Sequence, residues 1–244
     1  MKRYAVFTAR FALVPIISGP FVVSAAGRAS GVGWAHIITG FATIYLIIGL
    51  LLMSVKHRKI RLQAMVTLAL GLLETVPGMP QLHAVVSPIL FASLAWAVIE
   101  LDSGRATERA KSRWIFMLPA MLLVPIFYGV GYRHKTSGFV PHIGAALTVA
   151  GLLLGFCAVL NERNPENKKL RRACNIAIAA VLIQVVFGIV AFIIRLLEIE
   201  GGLLLAYART AHITGAAVVM AASAELAIQY RRRGVEGSTS NNLA

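Results

Sequence analysis

Eight long apolar stretches constrain this chain more than any other feature. They run at approximately 5–26, 34–54, 62–79, 82–99, 114–131, 140–160, 173–196 and 208–229. A helix needs about 20 mostly apolar residues to cross the hydrocarbon core of a bilayer. Lipid offers backbone polar groups no water to bond, so only helices or a closed barrel can span it. Continuous apolar runs, without strict alternation, select helices. The 244 residues are 58% hydrophobic and only 14% charged, whereas a soluble domain carries about 25% charged residues. That excludes a water-soluble globule, a disordered chain and a disulfide-stapled secreted domain. The expected fold is an all-α integral membrane protein of eight transmembrane helices.

The formal net charge is +14, and its placement matters more than its size. Lys2 and Arg3 precede the first stretch. Lys56, Arg58, Lys59 and Arg61 follow the second, and Arg105, Arg109, Lys111 and Arg113 follow the fourth. Arg163, Lys168, Lys169, Arg171 and Arg172 follow the sixth, and Arg231, Arg232 and Arg233 follow the eighth. Thus 18 of the 24 basic residues fall on one side, against Arg28, Arg133, Lys135, Arg195 and Arg209 on the other. Basic loops stay cytoplasmic, which puts both termini inside a prokaryotic cytoplasmic membrane. The charge is a topology signal with anionic lipid contact as a by-product. It leaves no nucleic-acid partner to explain.

The two halves of the chain repeat each other at an offset of 110 residues. Leu13-Val14-Pro15-Ile16 with Gly19 recurs as Leu123-Val124-Pro125-Ile126 with Gly129. Arg58-Lys59-Ile60-Arg61 recurs as Lys168-Lys169-Leu170-Arg171, and Leu73-Glu74…Gly78 as Ile183-Gln184…Gly188. A shared offset across separated words is not a chance match of apolar letters. Two tandem four-helix halves follow, 1–104 and 105–233, in the same orientation because four is even. The tail 234–244 reads as disordered. Residues 1–26 have the outline of a signal peptide, but the repeat makes them part of the first half. Cys157 and Cys174 lie near cytoplasmic helix ends, where thiols stay reduced, so no disulfide is expected.

Of the six histidines, His57 and His134 sit among basic loop residues and read as solvated. His36, His83, His142 and His212 each stand near the outer end of an even-numbered span. Their wording repeats as Ala35-His36-Ile37, Pro141-His142-Ile143 and Ala211-His212-Ile213. One such histidine is most simply a side chain bonded to a neighbouring backbone. Four in matched places, two per half, point to function. Two imidazoles opposed across a four-helix bundle offer axial nitrogens to a planar metal macrocycle. A bare zinc site fits less well, having no cysteine or paired histidine nearby on one helix. The expected pairs are His36 with His83 and His142 with His212. Small neighbours (Gly40, Ser87, Gly144, Gly215) leave room for a flat ring. Arg28, Arg133, Lys135 and Arg209 can neutralise its propionates at the outer interface.

This pattern resembles the heme A synthase family: eight helices in two duplicated halves, one histidine pair per half near the outer face. The resemblance spans residues 5–230. It is carried by Arg133-His134-Lys135-Thr136-Ser137-Gly138 after span five, by Gln184…Gly188 in span seven, and by the histidines leading the even-numbered spans. It implies oxidation of the heme O methyl group to the formyl of heme A for cytochrome oxidase assembly. It further implies a heme b held by His142 and His212. His36 and His83 would hold heme O, heme A or a second heme b. An electron donor and terminal-oxidase assembly partners are implied too, and a homo-oligomer is compatible with all of this. The family usually has Glu and Arg where Gly33 and Ile37 stand here, and its outer-loop cysteine pair is absent. Glu74, near the expected depth of His36 and His83, is the candidate catalytic acid in their place. Its other reading is a hydrogen bond to a histidine Nδ1 that merely orients the ring. A bis-histidine b-type cytochrome or heme carrier on the same scaffold is the alternative function.

Overall fold

A computed structural model of the chain describes residues 1–24, 30–76, 78–102, 114–197 and 203–232. Among these the chain is helical throughout, with no strand. The helices are α1 (Lys2–Ser24), α2 (Ser30–Met53), α3 (Arg58–Leu73), α4 (Pro80–Asp102), α5 (Met117–Met121), α6 (Leu123–Arg133), α7 (Phe139–Arg163), α8 (Lys168–Leu196) and α9 (Leu203–Arg232). One turn of 3₁₀ helix, Trp114–Phe116, precedes α5.

Six of these, α1, α2, α4, α7, α8 and α9, are long and apolar enough to cross a membrane. The remaining two apolar stretches depart from the expected outlines, each for a local reason. The stretch at 62–79 is helical only to Leu73, and Glu74 is the residue that closes α3. Beyond it Thr75 and Val76 bond the carbonyls of Leu72 and Leu73 in a tightened last turn. Gly78 then takes φ +76, a conformation that glycine adopts without a Cβ penalty. Pro80 opens α4, where a missing N–H costs nothing. The stretch at 114–131 is not one helix either, because it breaks at Leu122 between α5 and α6. Pro125 removes the donor that the Met121 carbonyl would need and crowds that turn.

Packing follows the chain. α1 lies on α2, α2 on α3, α3 on α4, and α4 returns to α1, closing a four-helix bundle. In the second group α6 lies on α7, α7 on α8 and α8 on α9, with α5 against α9. The groups meet where α9 packs on α4 and α1 and where α4 touches α6. Half of the apolar window of α9 is buried. Its Ala217, Ala222, Ser223, Ala224 and Ala227 are small enough for helix backbones to approach closely. Cys157 and Cys174 are free and buried in this core.

The groups are also tied together at the end of α9 farthest from His212. Arg232 meets Glu100 of α4 at 3.3 Å, and the Trp96 indole donates to the same carboxylate at 3.3 Å. Trp96 stacks on Phe116 at 5.2 Å, with an interplanar angle of 3°.

Candidate functional site

Each of the four histidines rests on the helix before its own, and the same device recurs. On α1 the carbonyl of Pro15 lies 3.1 Å from Nδ1 of His36. On α6 the carbonyl of Pro125 lies 2.9 Å from Nδ1 of His142. Pro15 and Pro125 are 110 residues apart, as are the glycines one turn further on. A Cβ on Gly19 would fall 2.8 Å from Cε1 of His36, and one on Gly129 would fall 2.9 Å from Cε1 of His142. The absent side chain is what lets each ring lie on the turn. A carbonyl has two lone pairs, so it can accept the imidazole N–H besides its helical bond.

The later pair of helices varies the scheme. A Cβ on Gly188 of α8 would fall 3.0 Å from Cε1 of His212. The Gln184 carbonyl lies 3.3 Å from His212 Nδ1 and accepts its proton. The Gln184 amide nitrogen donates to the His212 carbonyl at 2.8 Å. At the equivalent place in the first bundle, a carboxylate oxygen of Glu74 lies 2.9 Å from His83 Nδ1. The other oxygen of Glu74 accepts from the Ser87 hydroxyl at 3.0 Å. Gly78, the equivalent of Gly188, has nothing within contact range of a Cβ, because it lies in the turn after α3.

With Nδ1 engaged as a donor, Nε2 keeps its lone pair for a metal. The rings of His142 and His212 lie 6.1 Å apart between centroids, with planes at 87°. Two coordinate bonds of about 2 Å each to one metal, plus the two half-rings, require a separation on the order of 6 Å. This pair therefore fits an axial bis-imidazole site. Gln184 Oε1, Thr210 Oγ1 and Thr214 Oγ1 are buried around it without a hydrogen-bond partner, a polar surplus consistent with a missing ligand. Among the described residues no three His, Cys, Asp or Glu side chains converge as a bare ion would need.

The first bundle is less complete. His36 also lies 3.2 Å from the Ser18 hydroxyl, and among the described residues no ring contact joins it to His83. His83 Nε2 stands 3.3 Å from the Val76 carbonyl, which a metal there has to displace.

The basic residues divide. Arg133 donates to Ser24 at the end of α1 at 3.2 Å and is near enough to Arg209 for their charges to interact. Lys135 is exposed, with φ 60. Arg28 lies outside the described residues, as does the tail 234–244. Arg195, not among the expected propionate partners, lies over the Tyr132 ring at 4.6 Å.

The sequence reading missed the glycine seats. Gly19, Gly129 and Gly188 stood inside the repeated words, and Gly40 and Gly144 were preferred for being near the histidines on their own helices. A Cβ at either Gly40 or Gly144 meets nothing. No protein-family model, curated protein or solved structure matches the chain.

Proposed function

We propose that this chain is a heme-binding protein of a prokaryotic cytoplasmic membrane, resembling heme A synthase. In this reading eight spans form two duplicated four-helix halves, both termini are cytoplasmic, and the histidine pairs lie near the outer face. The common offset of 110 in the histidine supports favours the duplication. His142 and His212 hold a resident heme b. His36 and His83 receive the heme whose methyl group is oxidised to a formyl.

The observation that carries the reading is the 6.1 Å, near-perpendicular pairing of His142 and His212, with each Nδ1 held from the preceding helix. Its less complete counterpart suits a site whose ligand comes and goes. When bound, heme supplies a redox-active iron. The protein's part is to fix ring orientation through Pro15, Pro125, Gln184 and Glu74, and to offer Arg133 and Arg209 to the propionates. Glu74 lies where a proton released at the N-terminal pair can be held.

A second reading keeps the hemes and drops the synthesis: a b-type cytochrome or heme carrier for membrane electron transfer. Gly33 favours it, because the family's usual carboxylate is absent there and the carboxylate of Glu74 is already engaged by His83 and Ser87.

The test is to purify the full chain in detergent, record its absorption spectrum and identify the extracted pigment. A Soret band with extracted heme b is expected, together with conversion of added heme O by the reduced, aerated protein. No porphyrin sinks both readings. Bound heme b without conversion in an oxidase-assembling host leaves only the second.

A further inference from the structure

We infer that Glu74 is a positioning residue that tunes the N-terminal site. Acting through His83, it makes the iron at His36–His83 the lower in potential of the two. This rests on the heme-binding reading above, though not on the synthase activity.

The two bundles supply a controlled comparison. His36 and His142 meet equivalent partners, the carbonyls of Pro15 and Pro125, at 3.1 and 2.9 Å. Those contributions cancel between the sites. His83 and His212 do not meet equivalent partners. His83 Nδ1 faces a carboxylate oxygen at 2.9 Å, whereas His212 Nδ1 has a neutral carbonyl at 3.3 Å. The side chain of Gln184 gives its amide hydrogens to the His212 carbonyl instead of accepting from the ring. Glu74 and Gln184 are the same position of the repeat, so the difference between the sites reduces to one substitution.

The surroundings of Glu74 suit an ionised carboxylate. One oxygen accepts from His83 and the other from the Ser87 hydroxyl at 3.0 Å, and its side chain is 20% exposed. A carboxylate on the far nitrogen of a ligating imidazole raises the basicity of that ligand. Its negative charge, little screened at this depth, favours ferric over ferrous iron. Both effects lower the potential of the N-terminal site. The difference then sets the direction of transfer between the pairs. One electron leaves iron at His36–His83, which is oxidised, for iron at His142–His212, which is reduced, with no bond made or broken.

The experiment is a potentiometric titration followed by visible absorption, on the full chain in detergent loaded with heme b. Two one-electron steps are expected, and the lower persists when His142 and His212 are both replaced by Ala. Glu74→Gln should raise the lower step by roughly tenfold in the equilibrium constant, about 59 mV for one electron, while Glu74→Asp holds it low. Gln184→Glu should lower the upper step. Coincident steps in the parent protein overturn the inference, as does a lower step belonging to His142–His212. So does Glu74→Gln that keeps its heme and moves neither step. Should Glu74→Gln lose its heme, Gln184→Glu decides alone, and an unmoved upper step overturns the inference. Heme at His142–His212 only also overturns it, leaving the C-terminal site intact. A chain with no heme at all overturns the parent reading as well.

Discussion

Gly129 and His142 are so close that a β-carbon on the glycine would sit 2.9 Å from the imidazole Cε1. The ring cannot back away freely, because its Nδ1 is held 2.9 Å from the Pro125 carbonyl one turn earlier. Overpacking of this kind costs typically about 1–3 kcal/mol, here levied on ring position. Gly129→Ala should therefore weaken heme retention at the C-terminal pair about tenfold, 1.4 kcal/mol being a factor of ten. Gly144→Ala, where a Cβ meets nothing, should leave retention unchanged. Heme content after dialysis against apomyoglobin separates the two, and equal loss from both variants would refute the seat.

The same seat exists at Gly188, beneath His212, where the contact is 3.0 Å. Gly188→Ala should reproduce the loss. Gly78→Ala should not, despite the shared repeat position, because its Cβ would meet nothing near His83. At φ +76 that alanine is strained, so its cost should appear in the thermal midpoint and not in heme content. Measuring both quantities on both variants checks the distinction.

The helical class and the choice of histidines were legible because bilayer physics writes them coarsely: long apolar runs, charge asymmetry, and ionisable residues that do not belong in lipid. What supports the histidines was not legible. Pro15 and Pro125 act through backbone carbonyls, which no residue letter advertises, and Gly19 acts through an atom it lacks. Glu74 was visible as an intramembrane acid, but whether it faces a histidine or another helix depends on where α3 ends. That end was missed because Thr75 and Val76 look as helical as any residue before a proline. The break at Leu122 was likewise a matter of Pro125 acting on the turn before it.

Replacing His142 or His212 by Ala should abolish the low-spin signal of the C-terminal site, since either change removes one of two axial nitrogens. His57→Ala and His134→Ala should leave it intact. His57 precedes α3 and His134 closes α6, and neither has a ligating partner across a bundle. Electron paramagnetic resonance of the oxidised protein provides the readout, and a low-spin signal surviving in His212→Ala would remove that residue from the site.

Glu100 joins the two helix groups through Arg232 at 3.3 Å and Trp96 at 3.3 Å, and both members of the ion pair are largely buried (17% and 19% exposed). Glu100→Ala leaves a guanidinium and an indole without that acceptor. A hydrogen bond to a charged group is worth about 1.5–3 kcal/mol, so the thermal midpoint in detergent should fall measurably. Glu100→Gln, which still accepts from Trp96, should fall less. Heme spectra should not change in either, the cluster being at the opposite end of α9 from His212.

Whether α3 crosses the membrane is the sharpest question the helix lengths pose. Its 16 residues span about 24 Å at 1.5 Å per residue, short of a hydrocarbon core of about 30 Å. The turn through Thr75 and Val76 to Gly78 has to supply the rest. If it does, Lys56 and Met79 lie on opposite sides, and Thr136 shares a side with Met79. If only the six long helices cross, Lys56 and Met79 share a side instead. All three positions are exposed, and the native Cys157 and Cys174 are 0% exposed, so they should stay silent in folded protein. Lys56→Cys, Met79→Cys and Thr136→Cys can thus each be probed singly with a membrane-impermeant maleimide in intact cells. Labelling of Met79→Cys and Thr136→Cys from outside, with Lys56→Cys labelled only after permeabilisation, is the expected result. Lys56→Cys and Met79→Cys labelled from the same side would take α3 out of the membrane, and with it the placement of Glu74 and His83 at the depth of the other histidines.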